Sequence, residues 1–135
     1  MLEKKRILET FDLDAVMAQL RDVVMGESKR VVVAVPTYDE SMRYILMADA
    51  ALYTEQRSDA YKVVQYFKTE NPVHEIDMIL DSNDADDIVD QSERPIDYVI
   101  MLHEFMPSEA RYLIESLAEN AAGEVNLDMQ VLEFS

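Results

Sequence analysis

In the stretch "DLDAVMAQLRDVVMG", apolar side chains recur at Leu13, Val16, Met17, Leu20, Val23 and Val24, a spacing that gathers them on one side of a helix. Asp12 stands where an N-cap belongs and Gly26 where the helix must stop. The period then changes. "KRVVVAV" is an unbroken β-branched run closed by Pro36, which predicts a strand over 30–35 buried on both faces. Thr37 and Glu40 have the spacing of a capping box and open a predicted helix over 38–56. From Tyr44 to Tyr53 that helix is apolar almost all round, as expected of one held between layers or between subunits. Asp49 interrupts its apolar stripe, and a rim position that reaches water is the plainer account of it.

Further along, "AYKVVQYF" (60–67) and "VHEIDMIL" (73–80) are rich in β-branched and aromatic residues and read as two strands. The short "KTENP" between them suits a hairpin. A short helix near 84–92, a strand over 96–102 and a helix from Ser108 to about Ala121 follow. The last helix turns Ala110, Leu113, Ile114, Leu117, Ala118 and Ala121 inward and ends at Gly123. Alternation of Val125, Leu127, Met129 and Val131 predicts a closing strand with one wet face, suited to a sheet edge. The order is α-β-α-β-β-α-β-α-β, expected as one α/β domain over residues 1–135. Its sheet is expected to be five-stranded, mixed but mostly parallel, and flanked by helices as a sandwich.

Charge changes this picture more than any motif does. The chain of 135 residues has a formal net charge of −16. Residues 1–68 hold 11 acids and 10 bases, whereas residues 69–135 hold 17 acids and only two bases, Arg94 and Arg111. Such a half repels phosphate backbones, so direct nucleic-acid binding is not expected, and it speeds encounter with a basic surface. Solubility alone is the competing explanation. The acids at Asp81, Asp84, Asp87, Asp90, Glu93 and Asp97 are the expected partner-binding face. Against a nucleic-acid-binding protein they would stand in for phosphates, as an inhibitor's surface does. A subunit of a larger, for example viral, assembly is a related expectation, with helix 38–56 and the final strand as contacts and a homo-oligomer as one outcome. No apolar run approaches a membrane span, and the charged start "MLEKKRILETFD" is unlike a signal peptide, so a cytoplasmic setting is expected, that of the host if the chain is viral.

Candidate chemistry is sparse. There is no cysteine, which excludes disulfides and thiolate metal sites. The stretch "DSNDADDIVDQSE" fails as a calcium loop: Ala85 falls at the fifth position, Asp86 where glycine is needed, and Ser92 where a bidentate glutamate belongs. As a helix start it makes sense, with Ser82 or Asn83 as cap and aspartates in the first turn. His74 and His103 each begin a His-Glu pair, but adjacent strand residues point to opposite faces, so neither pair converges on one metal. His103 ends a strand at the side of an α/β sheet where ligands bind. A ligand site of Thr37, Asp39, His103, Glu104 and Ser108 is therefore the alternative expectation, for a small-ligand-binding protein or a hydrolase. Phosphate-binding glycine motifs and a nucleophile elbow are missing, and no cofactor or metal is expected.

The run "IDMILDSNDADDIVDQSERPIDYVIMLHEFMP" resembles the middle of a response-regulator receiver domain: strand, acid-capped helix, a strand entered through Pro-Ile-Asp, then Met-Pro. It covers about a quarter of the chain. The resemblance implies a doubly wound architecture. The position of that family's phosphoacceptor aspartate is taken by His103, so it implies no phosphotransfer here.

The leading expectation is thus a non-enzymatic module that docks its acidic half onto a basic protein surface.

Overall fold

The computed structural model describes residues 4–8, 11–37, 50–90, 94–119 and 123–134. Along them the elements are β1 (Lys4–Leu8), α1 (Leu13–Met25), β2 (Arg30–Ala34), α2 (Ala50–Glu70), β3 (Glu75–Ile79), a 3-10 turn (Ser82–Asp84), α3 (Ala85–Asp90), β4 (Tyr98–Leu102), α4 (Pro107–Ala118) and β5 (Gln130–Phe134). The strands form one sheet in the order β1-β5-β4-β2-β3, and every neighbouring pair is parallel.

Strand periodicity splits the core in two. Val31 and Val33 of β2 and Val35 just after it, with Ile100 and Leu102 of β4, meet Val16, Leu20 and Val24 of α1 and Ala60, Val63 and Phe67 of α2. Val32 and Ala34, with Val99 and Met101, face the other way onto Ala85 of α3 and Ala110, Leu113, Leu117 and Ala118 of α4. The doubly buried β2 expected from "VVVAV" follows from this three-layer packing, as all five of its residues are buried.

Helix ends follow their residues. Asp12 caps α1 by accepting the Asp14 amide at 3.1 Å. After α4, Gly123 lies at φ 79, the left-handed region that a side chain resists. Of the expected α1 stripe Val16, Leu20 and Val24 are buried and Leu13, Met17 and Val23 half-buried. α4 buries Ala110, Leu113, Ile114, Leu117 and Ala118 and stops at Ala118, short of the expected end, with Ala121 outside the described residues.

Four of the strands expected from the sequence are present, but the element order differs. Residues 60–67 are helical, the middle of α2, so the expected hairpin is replaced by helix, and among the described residues the strands of the sheet pair in parallel and not in a mixed sheet. The residues buried there are Asp59, Ala60, Val63, Val64 and Phe67, a period of three to four that β-rich composition had masked. The helix expected over 38–56 is described only from Ala50, where it is the start of α2; residues 38–49, including Asp49, lie outside the described residues. β1 was not expected, because "KKRIL" carries too few apolar residues in alternation to announce a strand. It covers β5, which is therefore internal and not the edge its alternation suggested.

Candidate functional site

The topology selects one place for chemistry. From β2 the chain runs through α2 to β3, and from β4 it runs through α4, on the opposite face, to β5. Since β2 and β4 are neighbours, their onward connections part in opposite directions and leave a crevice at their carboxyl ends, the usual ligand position in open α/β sheets. Thr37 follows β2 at that edge, Ser82 follows β3, and His103 is the first residue beyond β4.

His103 is turned by its backbone, with φ 71, and its amide donates to the Phe134 carbonyl at 2.7 Å. The ring reaches α2, where Asp59 Oδ2 accepts from Nε2 at 2.9 Å. Both side chains are nearly enclosed, 12% and 9% exposed. Phe11 stacks on the imidazole, ring centroids 3.8 Å apart at 28°. The carboxylate of Asp59 orients the ring through Nε2. This is a held imidazole with an orienting carboxylate, the arrangement a general base needs. It is equally a cross-link that ties α2 to the end of β4.

On the β2–β3 side the crevice is closed by the protein's own carboxylate. Glu109, in the first turn of α4, accepts the Thr37 amide at 2.8 Å and the Ser82 hydroxyl at 2.8 Å, both on Oε1. The Ser82 amide donates to Thr37 Oγ1 at 2.8 Å. Glu104 and Ser108 are exposed, and neither has a hydrogen bond to Thr37 or His103 among the described residues; Asp39 lies outside those residues. Of the residues expected to make a ligand site, the structure thus gives Thr37 and His103 separate partners. Asp59, Ser82 and Glu109 are the residues that sequence reasoning missed. None of the three was marked as a site residue, and the helix expected to end at 56 left Asp59 outside it.

Two clefts lie elsewhere. One, of about 500 Å³, runs between α1 and α2 past Met17, Tyr61, Lys62 and Tyr66. The other, of about 510 Å³, opens at the amino edge beside Arg30, Ile96, Leu117 and Asn126. Arg30 is 2% exposed there; it donates to the Arg94 carbonyl at 2.7 Å and to the Ile88 carbonyl, with Asp77 Oδ2 3.8 Å from its Nε. Burial holds the Asp77 carboxyl above its ordinary range; Arg30 pulls it back and Glu75 adds to the rise. His74 is likewise structural: Nδ1 accepts the Lys29 amide at 3.0 Å and Nε2 lies 2.7 Å from the Val24 carbonyl.

The expected acidic face divides. Asp81 caps the 3-10 turn, accepting the Asn83 amide at 2.9 Å, the role expected of Ser82 or Asn83. Asp97 precedes β4 and accepts the Arg30 amide at 2.8 Å, and Arg94 Nη2 lies 3.9 Å away. Asp84 and Asp87 are exposed; the Asp90 side chain and Glu93 lie outside the described residues. Exposed acids not singled out from the sequence join them on the same layer: Asp86, Glu115 and Glu119. Arg111 is the one exposed base among the described residues of 81–119, since Arg94 is half-buried and donates to Ser28.

Among the described residues no group of acids and histidines is placed to hold a metal ion, and no helix is long and apolar enough to cross a membrane. No protein-family model, no curated protein and no solved structure matches the chain.

Proposed function

We propose that this chain is a protein-interaction module that docks the acidic layer formed by α3 and α4 onto a basic protein surface. The observation that carries the reading is the imbalance of exposed charge along α3, α4 and the turns leading into them, where, among the described residues of 81–119, Asp84, Asp86, Asp87, Glu104, Glu115 and Glu119 are exposed against Arg111 as the one exposed base. Caps and buried pairs account for Asp81, Asp97 and Glu109, and the helix start favours Asp84, Asp86 and Asp87 in the first turns; Glu104, Glu115 and Glu119 have neither role. Carboxylates spaced along two helices are complementary to lysine- and arginine-rich surfaces, including those that otherwise meet nucleic acid, and they steer association more than they set its final strength. The closure of the switch-point crevice by Glu109 favours this reading over nucleotide binding, because the place a phosphate would take is filled by a carboxylate.

Titration calorimetry against a lysine-rich histone tests it. The affinity is expected to fall on the order of tenfold between about 50 and about 200 mM salt. No binding, or binding indifferent to salt, removes the proposal.

A second reading, a small-ligand site beside His103, is favoured by one observation, the enclosed Asp59–His103 pair at the end of β4. Its natural test is whether small polar metabolites shift the His103 ring resonances.

A further inference from the structure

The groups that close the crevice amount to a binding site with an occupant. Two donors, the Thr37 amide and the Ser82 hydroxyl, converge on one oxygen of Glu109, each at 2.8 Å. Their spacing is fixed independently of that oxygen, because the Ser82 amide is tied to Thr37 Oγ1 at 2.8 Å. Ser82 is 4% exposed, so its hydroxyl is withheld from water and depends on an internal acceptor. The donors come from the ends of β2 and β3, whereas the carboxylate arrives from α4, beyond β4. The first turn of α4 has no side-chain cap; Pro107 at its start brings no N–H, so only the Ser108 and Glu109 amides face that edge.

We propose that Thr37 and Ser82 form a carboxylate-binding site at the topological switch point, that Glu109 is its resident occupant, and that a small organic acid takes the same donors when Glu109 withdraws. The donor set selects a carboxylate over a phosphate. Thr37 and Ser82 supply neutral hydrogen bonds and no cation, which match a single negative charge. A dianion placed there finds, among the described residues, no guanidinium or ammonium bonded to Thr37, Ser82 or Glu109 to offset its second charge. The site is independent of the acidic docking face, so either proposal stands if the other fails.

The test uses the full chain with Glu109→Ala and Glu109→Gln, titrated with sodium acetate against sodium chloride at equal ionic strength and against neutral acetamide. The readout is the amide resonances of Thr37 and Ser82. Saturable shifts at both amides are expected with acetate alone. They should appear at concentrations about tenfold or more below any response of the wild type, whose tethered carboxylate competes. Adding Ser82→Ala to either variant should abolish saturation. Equal responses in wild type and variants, shifts confined to other residues, or saturation that survives Ser82→Ala would overturn the site. Should Glu109→Ala unfold in chloride, refolding in acetate but not in acetamide supports it, and refolding in neither overturns it.

Discussion

His103 is the one non-glycine residue at positive φ among the described residues, and its ring is held by Asp59 and Phe11. Two consequences follow from those contacts. Asp59→Ala leaves the buried Nε2 without its acceptor and is expected to cost about 1–3 kcal/mol in urea denaturation. His103→Gly and His103→Ala both lose the pair, but only glycine adopts φ 71 without strain. The glycine variant should therefore be the more stable of the two by about 1 kcal/mol, and equal midpoints would show that the backbone is not strained there. Asp77 carries a pH dependence of definite sign. Because burial raises its folded pKa above 3.8, the folded state holds the proton more tightly than the unfolded chain, so the stability contributed by the neutral form is lost as pH rises above that value. Relative to Asp77→Asn, the wild type is expected to lose stability as pH climbs out of the acid range, as urea midpoints measured across pH will show. That His103 stands at the end of a strand was legible in the sequence, because the apolar run "YVIML" stops just before it. Its partner was not, since Asp59 is 44 positions away and tertiary packing alone brings them together.

At the scale of elements, what could be read depended on whether composition and period agreed. α1 and α4 have a helical spacing made of helix-tolerant residues, and β2 is β-branched throughout, so each was legible. Residues 60–67 set the two signals against each other: valines, tyrosines and a phenylalanine argue for a strand, while burial at Ala60, Val63, Val64 and Phe67 is helical. Packing against α1 and the sheet decided for the helix. Phe67→Ala is expected to cost about 3–5 kcal/mol and Val63→Ala somewhat less, whereas Gln65→Ala, on the exposed side, should stay within about 0.5 kcal/mol. A strand would have put residues 63, 65 and 67 on one face, so a large loss at Gln65 would contradict the helix. β1 escaped notice for the opposite reason, since neither period nor composition marks it and β5 supplies its pairing. The crevice inherits this pattern. Its place follows from strand order, which the sequence suggests through alternating elements, but Glu109 reaches Thr37 across 72 positions that no local pattern connects.

For the whole molecule the governing quantity is where its charge lies. The net charge of −16 comes almost wholly from residues 69–135; among the described residues, Asp84, Asp86, Asp87, Glu115 and Glu119 expose part of it along α3, α4 and their ends, while Glu70, Glu124 and Asp128 expose acids elsewhere. The α1–α2 layer is also decorated with acids, at Asp14, Asp22, Glu55 and Glu70, but interleaves them with exposed Arg21, Lys62 and Lys68. A surface that is acidic only for solubility does not care which acids it keeps; a docking face does. Two variants of equal charge separate these cases, one neutralising Asp84, Asp86, Asp87 and Glu115 to their amides, the other Asp14, Asp22, Glu55 and Glu70. Affinity for a lysine-rich histone, measured at one salt concentration for both, is the direct test. The first variant is expected to bind about tenfold or more weakly than wild type and the second within about twofold. Equal losses in the two variants would contradict a docking face and leave net charge as the whole effect.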